Sequence, residues 1–130
     1  MVYYSHSKMT YGTIKEDHER TFLDNRFRKV ICPNRDMGGG YMTSEGIDHL
    51  LNMISACDSI VVSEYQGFVG KGVYAEVCRA VGEGKEVQVL RKVNGELKLL
   101  RFRKLVLNDD SDWKEKYGIV YVKSIKDKKQ

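Results

Sequence analysis

The chain has 130 residues, enough for one continuous core and too few for two comfortable ones, so one domain over 1–130 is expected. Hydrophobic residues at 42% and charged residues at 31% give the balance of a folded chain and exclude a disordered one. The formal charge of +4 gathers largely in the 98–104 segment and the 123–129 tail, which reads as a solvated face and a basic end, so no nucleic-acid partner is expected.

No apolar run approaches the roughly 20 residues of a membrane helix. Met1-Val2-Tyr3-Tyr4 opens directly on a strand pattern, with no signal-peptide layout. The expectation is a cytoplasmic protein with no membrane partner. Cys32, Cys57 and Cys78 form no CxxC pair and each lies in an apolar stretch, so all three are expected as reduced core residues.

Val2 to Ser5 reads as the first strand. Thr13-Ile14-Lys15-Glu16 has the T-x-x-E form of a capping box and opens a helix from about Ile14 to Asn25. Lys29 to Cys32 is a short apolar strand stopped by Pro33, the only proline. Asn34 to Tyr41, with three consecutive glycines, has the composition of a loop. Thr43 or Ser44 can cap a second helix, in which Ile47, Leu50, Leu51 and Ile54 fall at amphipathic spacing.

Ser59 to Ser63 is continuously apolar at its centre, as expected for a strand covered on both faces. A glycine-rich turn, Gly67 to Gly72, leads into a third helix over roughly Val73 to Val81, ended by Gly82 or Gly84 and followed by strand Glu86 to Leu90. This βαβαβαβ alternation implies right-handed crossovers and a parallel sheet with helices on both faces. Val93-Asn94-Gly95-Glu96 is an Asn-Gly hairpin signal between Gln88–Lys92 and Leu97–Phe102. Leu105 to Leu107 and Gly118 to Val122 are further short strand candidates. The expected fold is therefore α/β and flavodoxin-like, three layers α/β/α, with a mostly parallel sheet in the order 2-1-3-4-5. Its core is expected over 1–92, a strand-rich C-terminal extension over 93–122 and a basic tail over 123–130.

In such a sheet, ligands bind at the carboxyl ends of the strands, beside the point where strand order reverses. That places Ser5-His6-Ser7 next to Gly67, Gly70 and Gly72, with Asn34 nearby. The glycines let a ligand approach the backbone, and the N–H groups opening the third helix suit an anion; a tight structural turn is the alternative. Glu76, read in the first turn of that helix, either complements the macrodipole or faces the crevice as a carboxylate held ionised for glycosyl chemistry. Asp58 lies at the far end of its strand and reads as a turn or cap residue, Glu64 is a second-choice acid, and His6 is either a base or a hydrogen-bonded structural residue. His18 and His49 read as surface residues. No His/Cys/Asp set has metal-ligand spacing, so no metal and no cofactor are expected.

The segments Val2-Tyr3-Tyr4-Ser5, Cys57-Asp58-Ser59-Ile60-Val61-Val62-Ser63-Glu64 and Gly70-x-Gly72-x-x-x-Glu76-x-x-Arg79-Ala80 resemble the nucleoside 2-deoxyribosyltransferase family and the related deoxynucleoside 5'-monophosphate N-glycosidases. The resemblance covers roughly residues 1–92 with gaps. It implies Glu76 as the nucleophile that takes the sugar, Tyr3 as its positioning partner, a nucleoside or nucleotide substrate, and a homodimer. The family's leaving-group aspartate falls in register at Leu50, with Asp48 two residues away, and the glycosidases' phosphate-binding serine falls at Gly70. Parts of the pattern are also similar to TIR-type NAD-cleaving domains and to the phosphoribohydrolase-like fold. The expected activity is N-glycosidase or (deoxy)ribosyltransferase; the alternatives are a non-catalytic nucleotide-binding or sensing module and a TIR-like NAD glycohydrolase.

Overall fold

The computed structural model describes residues 1–7, 10–36, 44–64, 68–107 and 120–124. The elements run β1 (Val2–Ser5), α1 (Ile14–Arg26), β2 (Val30–Ile31), α2 (Pro33–Asp36), α3 (Ser44–Ala56), β3 (Ser59–Ser63), β4 (Phe68–Val69), α4 (Lys71–Gly82), β5 (Glu86–Val93), β6 (Glu96–Leu107) and β7 (Val120–Ser124). Strand order is β2-β1-β3-β5-β6-β7-β4. The first five strands carry the expected 2-1-3-4-5 order. β2, β1, β3 and β5 are parallel neighbours, and β6 closes on β5 antiparallel.

The sheet is covered on both faces, as its continuous apolar strands require. Leu23 of α1 packs with Val2, Tyr4, Val61 and Leu90 on one side. On the other, Leu50 and Ile54 of α3 and Val73, Val77 and Ala80 of α4 pack with Tyr3, Ile60, Val62 and Val89. The period of two in β1 and β3 thus sends alternate side chains into two separate cores. The three layers α/β/α of a flavodoxin-like fold follow. Among the described residues no helix is long and apolar enough to cross a membrane.

Several local expectations need correction. Pro33 does not merely stop β2; it opens the single turn α2, where its missing N–H costs nothing. α4 starts at Lys71, two residues earlier than periodicity indicates, because Gly70 takes the extended N-cap conformation and Gly72 lies within the first turn. Val81 is 54% exposed and Cys78 also faces outward, so neither belongs to the two cores, of which Cys57 joins one and Cys32 the other. Leu105 to Leu107 is no separate strand: β6 runs on to Leu107 through a register irregularity between Phe102 and Lys104. The stretch read as a glycine turn contains β4, which pairs antiparallel with β7.

The Asn94–Gly95 turn joins β5 to β6 with φ of 51° and 83°, the two left-handed residues that a type I′ hairpin turn demands. A Cβ on Gly95 would meet nothing within 4 Å, so any cost of substitution there is backbone strain alone. Gly95→Ala should therefore lower unfolding free energy by about 1 kcal/mol. Gly82→Ala, equally uncrowded but lacking a positive φ, should be neutral or slightly stabilising. Urea midpoints at unchanged m-value measure both.

Candidate functional site

The carboxyl end of β1 is where the polar side chains gather. Tyr3 and Ser5 point to the α4 side, and both donate to Glu76: Tyr3 Oη to Oε2 at 2.6 Å and Ser5 Oγ to Oε1 at 2.5 Å. Both hydroxyls are fully buried, and Glu76 is 8% exposed. Each carboxylate oxygen receives one proton donor and keeps a lone pair. The expected partnership of Tyr3 with Glu76 is thus present, and Ser5 joins it.

The electrostatics differ from expectation. Because α4 begins at Lys71, Glu76 sits in its second turn, beyond the reach of the N-terminal dipole, and the first turn holds no acid. Among the described residues no cation offsets its burial either. Desolvation therefore dominates the two hydroxyl bonds and pushes the Glu76 carboxyl up to about 7, so it is not held ionised. Tyr3 is raised far above a phenol's usual value by its own burial and then by the Glu76 charge, and stays a donor.

His6 and Asn34, also predicted for the cradle, lie on the opposite face. His6 is stacked on Tyr4, with ring centroids 3.9 Å apart, and contacts the Tyr4 carbonyl through Nδ1 at 3.1 Å. Its Nε2 lies 2.7 Å from Glu16 Oε2. Asn34 donates to the same oxygen at 2.9 Å, and the Gly12 N–H donates to Glu16 Oε1 at 2.9 Å. The capping box forms in part: Thr13 Oγ1 accepts from the Glu16 N–H, while the Glu16 side chain reaches Gly12 in place of Thr13. Ser7 is buried beside this group. His6 and Asn34 therefore serve Glu16, not Glu76.

Burial alone would raise Glu16, but the Gly12 N–H, His6 and Asn34 together outweigh it and hold the carboxyl below its usual value. Burial pulls the His6 imidazole down, against the opposing pull of Glu16 and the Tyr4 carbonyl. A carbonyl only accepts, so Nδ1 carries a proton. The 2.7 Å contact between Nε2 and Glu16 Oε2 then holds one proton between the two groups.

Sequence reasoning missed Glu16, Glu19 and Cys32 as members of this second group. Glu19 accepts from Tyr4 Oη at 2.5 Å, from Ser63 Oγ at 2.6 Å and from Lys15 Nζ at 2.5 Å. Tyr4 is raised by burial and then by Glu19, as Tyr3 is on the other face. Cys32, whose thiol donates to Asn34 Oδ1 at 3.1 Å, completes a cluster in which ligand atoms of His6, Glu16 and Cys32 lie within 4.8 Å of one another. The available signal was the weakness of α1: Ile14 is 73% exposed and the helix buries Glu16, Glu19 and Leu23, so its inner face carries two carboxylates.

Glu64 is held by Arg91 through a two-pronged ion pair at 3.0 and 2.8 Å, tying the end of β3 to β5. Asp58 lies at the opposite end of β3, its N–H donating to the Met1 carbonyl at 2.9 Å. Gly70 is the N-cap of α4, and a Cβ on Gly72 would meet nothing within 4 Å, so the fold leaves open space there. Gly67 lies outside the described residues, as does the side chain of Asp48, whose backbone belongs to α3. Leu50, in register with the family's aspartate, is core: it packs with Ile54, Val73 and Val77. Compared with known proteins, the chain matches no family model, no curated protein and no solved structure.

The Glu76 proton links to stability with a definite sign. Below about pH 4.5, the ordinary glutamate value, folded and unfolded chains both hold the proton and the group contributes nothing. Between there and about pH 7 the unfolded chain releases it while the folded chain keeps it, so stability falls as pH rises. The full penalty above that range is on the order of 3 kcal/mol. Glu76→Gln lacks it, so the variant's stability relative to the parent should grow by roughly that amount between about pH 4.5 and about pH 8. Urea unfolding at both pH values checks this, and a pH-independent difference would contradict the buried, uncompensated carboxyl.

Proposed function

We propose that the protein cleaves or transfers the N-glycosidic bond of a nucleoside or nucleotide, with Glu76 as nucleophile. The observation that carries this reading is the buried Glu76 carboxylate at the switch point, gripped on both oxygens by Tyr3 and Ser5 and with no cation beside it among the described residues. A carboxyl near 7 is divided between acid and base at neutral pH, which is the range in which such a group serves chemistry.

In this mechanism an ionised Glu76 oxygen attacks the anomeric carbon with its remaining lone pair. The carbon–nitrogen bond breaks, its electrons leave with the base, and the base takes a proton from solvent. A glycosyl ester on Glu76 results, which water hydrolyses or a second base intercepts. Tyr3 and Ser5 fix the carboxylate rotamer and release it as a leaving group in the second step. The open space at Gly72 and the N–H groups opening α4 are suited to the sugar or its phosphate. The family resemblance agrees with this assignment of Glu76 and Tyr3, and it supplies the homodimer as part of the proposal.

One observation favours a second reading, a nucleotide-binding or sensing module without turnover. Leu50 is buried among apolar neighbours, so that position offers no acid to the leaving base.

Incubation with a panel of nucleosides, deoxynucleoside monophosphates and NAD, followed by chromatography for released base, separates the two. Base release should fall at least about 10³-fold in Glu76→Ala, and kcat/KM should rise with pH through about 7 as the carboxyl ionises. Thermal stabilisation by a nucleotide that stays intact would select the sensing module instead. Gly72→Ala provides an independent check: it should fold with equal or slightly higher stability, by up to about 0.5 kcal/mol, yet lose ligand-induced stabilisation. Undiminished ligand binding in that variant would remove the glycine from the site.

A further inference from the structure

We propose that His6, Glu16 and Cys32 form a binding site for a zinc-type divalent transition-metal ion, on the face of the sheet opposite Glu76. The three come from three different segments: the residue after β1, the first turn of α1 and the residue after β2. All are buried, with ligand atoms within 4.8 Å of one another. They offer one nitrogen, one carboxylate oxygen and one sulfur, the mixed donor set that borderline-soft zinc accepts and hard calcium or magnesium does not.

The supporting contacts are those of a metal-ligating histidine. Nδ1–H donates to the Tyr4 carbonyl, and the ring is clamped flat on Tyr4, so Nε2 is the nitrogen presented. Glu16 is likewise held by the Gly12 N–H and Asn34. Nε2 and Glu16 Oε2 face each other at 2.7 Å. Without metal they share a hydrogen bond. Tetrahedral zinc with ligand bonds of about 2.0 to 2.3 Å sets its ligand atoms about 3.3 to 3.7 Å apart. Nε2 and Oε2 would open by roughly half an ångström and Sγ would close in by up to roughly one, movements within reach of side-chain rotation.

The charges balance. The metal replaces the proton shared by His6 and Glu16 and the proton of the Cys32 thiol, so two protons leave as one dication enters. Imidazole, carboxylate and thiolate then leave a neutral centre, as burial requires. Asn34 Oδ1, which loses the thiol donor, or a water takes the fourth position. The site is independent of the glycosidic reading and stands or falls separately from it.

The test uses the full chain, stripped with chelator and titrated with Zn²⁺ and Co²⁺. One ion per chain should bind, Co²⁺ should develop thiolate-to-metal charge transfer with the strong visible bands of a tetrahedral site, and affinity should weaken as pH falls. One equivalent of Zn²⁺ should slow alkylation of Cys32 at least about tenfold while leaving the exposed Cys78 unchanged, a readout that needs no variant. Cys32→Ser should abolish the charge transfer, and His6→Gln should weaken Zn²⁺ binding at least about tenfold. Absence of binding, full-strength charge transfer in Cys32→Ser, or protection of Cys78 in place of Cys32 would overturn the proposal.

Discussion

β1 is only four residues long and is buried on both faces, and that constraint shapes the rest of the site. Its alternation sends Tyr3 and Ser5 one way and Tyr4 the other, and a buried hydroxyl without a partner costs about 1–3 kcal/mol. Each face answers with a glutamate from the helix that covers it: Glu76 of α4 for Tyr3 and Ser5, Glu19 of α1 for Tyr4, with Ser63 of β3 as its second hydroxyl. Helix placement and side-chain satisfaction are therefore one problem here. A shift of either helix along the sheet would leave both a carboxylate and a tyrosine unsatisfied in a dry interior.

The two faces solve the charge differently. Glu19 meets Lys15 one turn earlier on α1, so its ionised form has a cation beside it. Glu76 has two neutral hydroxyls and, among the described residues, no cation, and its carboxyl moves to about 7. A buried carboxylate with its counter-ion is ordinary architecture; one without it costs stability at neutral pH. That cost sets Glu76 apart from Glu19, Glu64 and Glu16, each of which has a basic partner beside it. Glu16 is a third solution, compensated by hydrogen bonds from the Gly12 N–H, His6 and Asn34.

These distinctions explain what was legible from residues alone. Strand and helix order could be read because the apolar periods of β3, α3 and β5 are strong, and the Tyr3–Glu76 pairing could be placed through the family resemblance. Glu16 and Glu19 could not, because two glutamates three residues apart on a helix normally mark its wet side, and only the packing of α1 reveals that they line its dry one. The position of Glu76 within its helix was misread for a related reason. Two glycines around Lys71 signal a loop by propensity, whereas packing of Val73 and Val77 against β3 pulls the helix start back to Lys71. The metal-type cluster was invisible because its members, ten and sixteen residues apart, match no local spacing and meet only through strand order.

The C-terminal third, unmatched by the resemblance, bears on the same site. β6 pairs with β5 through Glu96–Arg101 and with β7 through Phe102–Leu107, so one long strand serves two neighbours in succession. β7 then pairs with β4, the two residues directly before the N-cap of α4. The start of the helix that carries Glu76 is consequently held from both directions, by the parallel core beneath it and by the returning extension in front. Val69 is fully buried in this arrangement and shares its core with Tyr3, Val73 and Val77. Pairing at β4 thus bears directly on the depth and angle at which Glu76 meets β1. The extension is part of what positions the carboxylate, and a core ending near residue 92 would lack one of the two restraints on it.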